Sequence, residues 1–231
     1  ILYSIGTKAD ISEWYNVKLN YSKNYRVPTF NDLYWYAGGN VNLKAETVQQ
    51  YEITNEFQYK AFQFQVAGYY NDFQNLLKWS PNESGNWTPE NVENVKSYGA
   101  EFSLNFKQNF KAFQIESTTN YSYTKSVDEK TQKQLIYVPY HKFTSNWNFN
   151  YHRVSFNYQM VFNGAVFTST DNSFFLKEHT VSNISFYYLF RKHKNIILSV
   201  SANNVENRYY ENLPSRPMPG RNYTTSLIFN L

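Results

Sequence analysis

The stretch Asn222-Tyr223-Thr224-Thr225-Ser226-Leu227-Ile228-Phe229-Asn230-Leu231 decides the fold, because its side chains alternate in character. Every second position from Tyr223 to Leu231 is aromatic, aliphatic or threonine, while most of the positions between them are polar. A strand of this length, with one apolar row and one polar row, can meet lipid with one face and water with the other. The stretch therefore predicts an all-β protein, and more narrowly a transmembrane antiparallel β-barrel.

The same alternation recurs along the whole chain and defines about eleven strands. Short turns are predicted near Asp10–Ser12, Lys60, Gln108–Lys111, His152–Arg153 and Arg191–Asn195. Long loops are predicted at Lys23–Thr47, Ser80–Glu93, Lys125–Tyr137, Asn163–Lys177 and Asn204–Gly220. In bacterial barrels the short turns face the periplasm and the long loops face outside. Counting back from the last strand puts every short turn on the periplasmic side.

Composition supports a barrel. One residue in five is aromatic, with 22 Tyr and 19 Phe, yet the mean hydropathy is only −0.64. A barrel has this combination because only alternate residues meet lipid and aromatic residues gather in girdles at the interfaces. The absence of cysteine excludes disulfides and thiolate metal sites. A net charge of +4 is too small to indicate a nucleic-acid partner.

The strand count predicts that this chain is part of a larger barrel. The hairpin unit repeats every roughly 42 to 51 residues, which resembles a WD40-type period, but a propeller blade needs four short strands rather than two long ones. Eleven strands is an odd number, whereas bacterial single-chain barrels have even numbers. The chain starts with Ile1 and shows no export signal, so we expect a missing N-terminal part.

Five motifs, in order along the chain, resemble those of TonB-dependent outer-membrane receptors. They are the FRAP-type box Tyr25–Tyr34, the NPNLKPE-type box Asn40–Glu46, the "GVE" strand Asn94–Glu101, the "NLFDKxY" segment Ala202–Tyr210 and the "GR.Y" start Gly220–Tyr223. Val41 and Ala45 stand where the family usually has proline, and Leu231 stands where it usually has a terminal Phe.

The resemblance implies a plugged barrel of 22 strands, of which residues 1–231 would be the C-terminal part of about eleven strands, with the plug and the first strands absent from this chain. It also implies location in the outer membrane, surrounded by lipid, and import energised by the TonB–ExbB–ExbD complex. A surface lipoprotein that caps the receptor is a further expected partner. No catalytic role, cofactor or metal is expected.

Among these receptors the vitamin B12 (cobalamin) receptors are the nearest likeness. The sequence of Pro28–Trp35 and the compact loops carry this resemblance. Ferric siderophore receptors share nearly all the motifs and are the main alternative. Haem receptors usually carry a histidine between the first two boxes, and residues 28–40 contain none. The large glycan importers have longer loops and a longer chain. An alternative from another class is a soluble β-rich adhesin or carbohydrate-binding domain, in which the apolar rows would face a protein core.

Aromatic residues on the long loops are the candidate ligand-binding residues, because a rigid scaffold can present them to a large, partly apolar ligand. They are Tyr34, Trp35, Tyr36, Trp79, Trp87, Phe174 and Phe175. Packing within the loops or an interface girdle is the competing role for each of them.

Other polar residues are assigned ordinary structural roles. The carboxylates Asp32, Glu46, Glu52 and Glu101 are expected to hold loops or to bond in the lumen. The four histidines, His141, His152, His179 and His193, are expected in turns or at strand ends. The basic run Arg191–Lys194 could contact lipid headgroups or a periplasmic partner, or be a solvated turn. No nucleophile–base pair, phosphate loop or metal-ligand spacing is apparent, so an enzyme is not indicated.

Overall fold

A computed structural model of the chain describes residues 2–190 and 196–229. The predicted turn and basic run at 191–195, with His193, lie outside the described residues. In chain order the elements are β1 (Tyr3–Ser12), β2 (Tyr15–Arg26), α1 (Phe30–Tyr34), β3 (Glu46–Tyr59), β4 (Phe62–Pro81), β5 (Trp87–Phe110), β6 (Phe113–Asp128), β7 (Lys133–Gln134), β8 (His141–Tyr151), β9 (Val154–Asn163), β10 (Val166–Phe167), β11 (Phe175–Leu176), β12 (His179–Leu189), β13 (Ile196–Asn203), β14 (Glu211–Leu213), β15 (Arg216–Pro217) and β16 (Asn222–Phe229).

Eleven long strands form one antiparallel sheet, as predicted. Its order is β1-β2-β3-β4-β5-β6-β8-β9-β12-β13-β16, so each long strand pairs with the next long strand along the chain. The two-residue strand β7 pairs with β6, and β10–β11 and β14–β15 form two small hairpins in the long loops. Within the described residues no pairing joins β1 to β16, so the sheet is an open section of a barrel wall.

The short turns lie at one end of the sheet, but two of them are displaced from the prediction. β1 continues to Ser12 and the turn falls at residues 13–14, because Ser12 still pairs with Tyr15. β5 likewise continues through the predicted turn to Phe110, which pairs with Phe113. The turns after β3, β5 and β8 begin with Lys60, Lys111 and His152, whose φ angles are 51°, 50° and 51°. Left-handed residues of this kind let a tight turn match the twist of its strands.

The predicted loop Ser80–Glu93 is wrong, because β4 and β5 continue through it as a paired ladder. Lys78 pairs with Glu90, Ser80 with Thr88 and Pro81 with Trp87, which leaves only residues 82–86 as the turn. The sequence here lacks alternation because this hairpin extends past the rest of the sheet, where neither face is required to be apolar. Two of the other predicted loops are also shortened by strand extensions, to Arg26 in β2 and to Asp128 in β6.

The two faces of the sheet differ as a lipid face and a water face should. One register row consists of Tyr21, Tyr51, Tyr70 and Tyr98. The neighbouring row on the opposite face consists of Asn20, Glu52, Tyr69 and Gly99. The first face is assigned to lipid and the second to the lumen.

Candidate ligand-binding mouth

The long loops all lie at one end of the sheet, opposite the short turns. We call this end the outer mouth; it consists of the loop 27–45, the β4–β5 hairpin beyond residue 75, and the loops 129–140, 164–178 and 204–221. All seven candidate ligand-binding residues lie in or at these segments. Their sequence positions are far apart, and the topology brings them to the same end of the molecule.

The first loop begins with a well-capped helical turn. The hydroxyl of Thr29 accepts a hydrogen bond from the Asp32 amide (3.2 Å), and the Thr29 amide donates to Asp32 Oδ2 (2.8 Å), which is a capping box. Asp32 is buried and its Oδ1 accepts a hydrogen bond from the indole Nε1 of Trp79 (2.8 Å). Burial opposes ionisation of Asp32, but the hydrogen bonds from Thr29 and Trp79 outweigh it and lower the pKa of the carboxyl group.

Two further contacts fix the same loop to the β4–β5 hairpin. The Glu46 carboxylate accepts from the Leu77 amide (2.8 Å) and pairs with the Arg26 guanidinium (3.3 Å), which itself donates to the Leu77 carbonyl (2.7 Å). The Asn91 side chain accepts from the Lys44 amide (2.8 Å) and donates to the Lys44 carbonyl (3.0 Å). The predicted loop-holding roles of Asp32 and Glu46 agree with these contacts.

The anchored first loop presents three adjacent aromatic side chains. Tyr36 is 91% exposed, and Tyr34 and Trp35 are about half exposed, with the Trp35 and Tyr36 rings 5.2 Å apart. The chain turns sharply behind them, since the Gly39 amide donates to the Trp35 carbonyl (2.7 Å). A Cβ at Gly39 would lie 2.5 Å from the Trp35 nitrogen, so only glycine allows this turn. The aromatic side chains are therefore held by a rigid backbone.

Trp79 and Trp87 have different environments. Trp79 lies in β4, and its indole N–H donates a hydrogen bond to Asp32. Trp79 therefore holds the first loop against the β4–β5 hairpin. Trp87 starts β5, stays partly exposed, and contacts Tyr137 in a tilted ring pair with centroids 5.9 Å apart. Trp87 thus joins the hairpin to the loop 129–140.

The loop 164–178, which carries Phe174 and Phe175, is tied to its neighbour. The Asn172 side chain accepts from the Gln134 amide and donates to the Gln134 carbonyl, both at 3.0 Å. Hydrogen bonds from Ser169 and Ser173 lower the pKa of Asp171 to about 2 and tighten the loop tip. Phe174 and Phe175 are left largely exposed on this braced loop.

A cavity of about 300 Å³ lies below the loops, at the ends of β8, β9 and β12. Lys142, Asn163 and His179 line it, together with Glu211 from the loop 204–221. His179 stacks on Tyr210 with centroids 4.5 Å apart, and its buried Nδ1 has no hydrogen-bond partner among the described residues. His179 therefore lines this cavity from the start of β12, which agrees with the predicted position at a strand end.

Sequence reasoning also missed two exposed aromatic residues of the mouth. Phe30, in the first helical turn, is 79% exposed and lies 4.8 Å from the Tyr34 ring. Tyr209, in the last loop, is largely exposed and donates to Glu211 (2.6 Å). Both stand in motifs already singled out by resemblance, and a search for every aromatic residue in those motifs would have found them.

The lumen face below the mouth is polar. Lys18 pairs with Glu56 (2.7 Å), Asn20 donates to Glu52 (3.3 Å), and Glu101 lines a neighbouring cavity of about 380 Å³ with Glu52. Over residues 2–190 and 196–229, no group of three or more His, Asp or Glu side chains is placed to hold a metal ion. In the same residues no helix has the length and apolar character needed to cross a membrane.

Comparison with known proteins agrees with this architecture. The vitamin B12 transporter BtuB of Photobacterium profundum is 28% identical over 192 residues, covering 80% of this chain and 31% of the relative. The solved structure of the copper transporter OprC superposes with a TM-score of 0.80 at 15% identity, covering 99% of this chain and 39% of that one. The ferric enterobactin receptor PfeA from Pseudomonas aeruginosa gives a TM-score of 0.76 at 17% identity, covering 98% and 39%. At these identities the solved structures show the fold alone.

The chain therefore spans about a third of the length of this relative and somewhat more of these structures. TonB-dependent receptors, the family that the sequence motifs resemble, are outer-membrane receptors and transporters rather than enzymes. Membership in this family excludes the alternative of a soluble adhesin. The family profile described as "TonB dependent receptor-like, beta-barrel" matches residues 1–205, and the chain belongs to this family.

Proposed function

We propose that the whole protein imports a corrinoid such as vitamin B12 across the outer membrane. The observation that carries the proposal is the outer mouth, in which an anchored loop presents three adjacent aromatic side chains, Tyr34, Trp35 and Tyr36, without a metal-binding cluster among the described residues. Rigid aromatic side chains give large contact area at low entropic cost and suit a bulky, partly apolar ligand. The similarity to a B12 transporter over 80% of the chain supports the corrinoid in particular.

Capture and passage have separate requirements. The residues that would bind the ligand at the mouth are Tyr34, Trp35, Tyr36, Trp87, Phe174 and Phe175, while Trp79 holds the first loop in place. The polar lumen face would meet the plug that the family carries in its N-terminal part. Energy for release would come from the TonB–ExbB–ExbD complex acting on that plug, and a surface lipoprotein could cover the mouth.

A ferric siderophore is the second candidate cargo. The observation that supports this candidate is the similarity in fold to the ferric enterobactin receptor PfeA. An aromatic mouth also fits a flat catecholate complex, so binding must be measured directly to distinguish the two candidate ligands.

The test uses the full-length receptor in detergent and measures binding of cobalamin and of ferric enterobactin. We expect cobalamin to bind tightly and the triple variant Trp35→Ala, Tyr36→Ala, Trp87→Ala to lose a few kcal/mol, roughly a hundredfold or more in Kd. The matched control is Tyr59→Ala, an exposed aromatic residue at the opposite end of the sheet.

Two outcomes separate the parts of this proposal. Tight siderophore binding with no measurable cobalamin affinity would refute the corrinoid. Unchanged cobalamin affinity in the triple variant would refute the site but not the cargo. Uptake in cells that lack TonB should fall to background for either cargo.

A further inference from the structure

The lumen face differs in charge between the two halves of the sheet. Register places β8 on the same face as β5, because Glu101 pairs with Ser122 and Ser122 with Lys142. On β1 to β6 this face carries charged side chains of both signs, which include Lys8, Lys18, Glu52, Glu56, Glu101 and Glu116. On the described strands β8, β9, β12, β13 and β16, Lys142 is the only Asp, Glu, Lys or Arg on this face.

Amide side chains take the place of the charges on β8 and β9 and form a continuous strip, which we call the amide strip. It starts at the mouth with Asn163, which pairs with Lys142, and ends with Asn150 beside the short turn. None of its side chains is fully buried. Its members are Asn146, Asn148, Asn150, Asn157, Gln159 and Asn163.

The amides of the strip are partly linked to one another. The Asn157 Nδ2 donates to Asn146 Oδ1 (2.7 Å) and to Asn148 Oδ1 (2.8 Å). The Asn183 Nδ2 on β12 donates to Gln159 Oε1 (3.0 Å). A primary amide has two N–H donors and an oxygen with two lone pairs, so these bonds leave capacity for a molecule in the lumen.

The two halves suit different kinds of contact. A passage works when its contacts are favourable enough to admit a molecule and weak enough to release it. Hydrogen bonds to ionised groups are roughly twice as strong as those between neutral groups. The charged half therefore suits a lasting contact within the protein, whereas the amide strip suits repeated exchange with water and with a moving molecule.

From these observations we propose that the cargo passes through the lumen along the amide strip, and that the strip selects an uncharged cargo whose edge bears carboxamide groups. A carboxamide can pair with an Asn or Gln side chain in both directions, as donor and as acceptor. A corrinoid carries such groups around its ring. An anionic ferric siderophore would meet only one strand cation on this described wall, Lys142.

The inference rests on the proposed corrinoid import and extends it, since it assigns the path below the mouth and the chemistry that this path recognises. The first experiment uses cells that carry the full-length receptor and labelled cyanocobalamin. Surface binding is measured in cells that lack TonB, and uptake in cells that have it.

The triple variant Asn148→Leu, Asn157→Leu, Gln159→Leu keeps side-chain volume but removes hydrogen bonding from the strip. The Kd at the surface should stay within about twofold. The saturated uptake rate should fall at least about fivefold, because carboxamides of the cargo lose their partners during passage. Each variant is first checked for heat-modifiable mobility on gels and for its amount at the cell surface.

The matched control changes three amides that form one register row on the lumen face of the charged half. It is the triple variant Gln58→Leu, Gln63→Leu, Asn105→Leu. Its uptake rate and its surface Kd should both equal those of the unaltered receptor.

A second experiment varies the charge of the cargo and also serves if the leucine variant of the strip fails to assemble. The probe is a monocarboxylate derivative of cyanocobalamin, in which one carboxamide is replaced by a carboxylate. Gln159→Glu should slow uptake of this derivative at least about fivefold more than uptake of cyanocobalamin, because like charges repel. Gln63→Glu, an equally exposed position of the charged half, should not distinguish the two cargoes. A purely structural role of Gln159 would not depend on cargo charge.

The outcomes separate the passage from the cargo. No measurable binding of cyanocobalamin to the unaltered receptor would refute the corrinoid, and this inference with it. With binding intact, an uptake rate of the folded strip variant equal to that of the unaltered receptor would overturn the passage alone. An equal effect of Gln159→Glu and Gln63→Glu on the monocarboxylate derivative would also overturn it.

Discussion

The β4–β5 ladder is stabilised differently in its two parts. Its body comprises residues 62–74 of β4 and their partners in β5, and its extension lies beyond residue 75. In the body, aromatic side chains stack across the two strands, as in Phe64 with Phe102 (6.4 Å) and Tyr70 with Tyr98 (6.5 Å). In the extension, polar side chains bond directly, as in Ser80 with Glu90 (2.6 Å). The comparison shows that lipid requires apolar alternation, whereas the mouth relies on specific hydrogen bonds that can join segments remote in sequence.

The largest effect should come from a charge on the lipid face of the body. Phe102→Arg in β5, midway between the turn at one end of the strand and the tyrosine row at the other, should cost about 2–4 kcal/mol and impair assembly of the full-length receptor. Ser103→Arg, the next residue and on the lumen face, is the control and should assemble. Heat-modifiable mobility on gels gives the readout, and equal assembly of both variants would contradict the assignment of faces.

Breaking the first-loop anchor should have an intermediate effect confined to the mouth. Asp32→Ala removes the acceptor of the Trp79 indole and of the Thr29 amide, and should destabilise the loop by about 2 kcal/mol. Hydrogen exchange over residues 27–45 should rise while the sheet is unaffected. Trp79→Phe, which removes only the indole N–H, should have a smaller effect in the same direction. Faster exchange throughout the sheet would show that the anchor is not local.

The same anchor should respond to acid. The folded pKa of Asp32 is lowered from its ordinary value of 3.8, so its stabilising effect is complete above that value and is lost as the pH falls through the folded pKa. Hydrogen exchange of residues 27–45, corrected for its intrinsic pH dependence, should be constant from pH 7 to pH 5 and rise only below about pH 4. Asp32→Asn should abolish that step; a step between pH 5 and pH 7 would contradict the assignment.

The smallest expected effect concerns the link between the hairpin and the loop 129–140. Tyr137→Leu removes the aromatic partner of Trp87 and should cost about 0.5–1.5 kcal/mol. Ligand affinity should fall only slightly, since Trp87 itself remains. Tyr140→Leu, whose ring lies beside Tyr123 rather than Trp87, is the control. A loss as large as that of the triple aromatic variant would mean that Tyr137 contacts the ligand itself.

The comparison also explains how far the sequence could predict the molecule. Strands such as Phe143–Tyr151 could be read directly, because lipid forces their alternation. The ladder from Lys78 to Glu90 could not be read, because its pairing depends on hydrogen bonds without a hydrophobic pattern. Trp79 was predicted to contact the ligand, because nothing in the sequence around it indicates that its indole donates a hydrogen bond to Asp32, which lies 47 residues away. The stacking of His179 on Tyr210 likewise could not be predicted, because Tyr210 comes from another loop.

The meander order of the sheet has a consequence for how this chain is assembled. Each long strand pairs with the preceding long strand of the chain, so no strand must wait for a distant segment before it gains its first hydrogen bonds. Closing such short connections carries little entropic cost, and contacts of low sequence separation favour fast formation. The wall can thus grow one hairpin at a time from either end. At every stage the growing sheet has two open edges, and each is exposed to association with other chains until a further strand covers it.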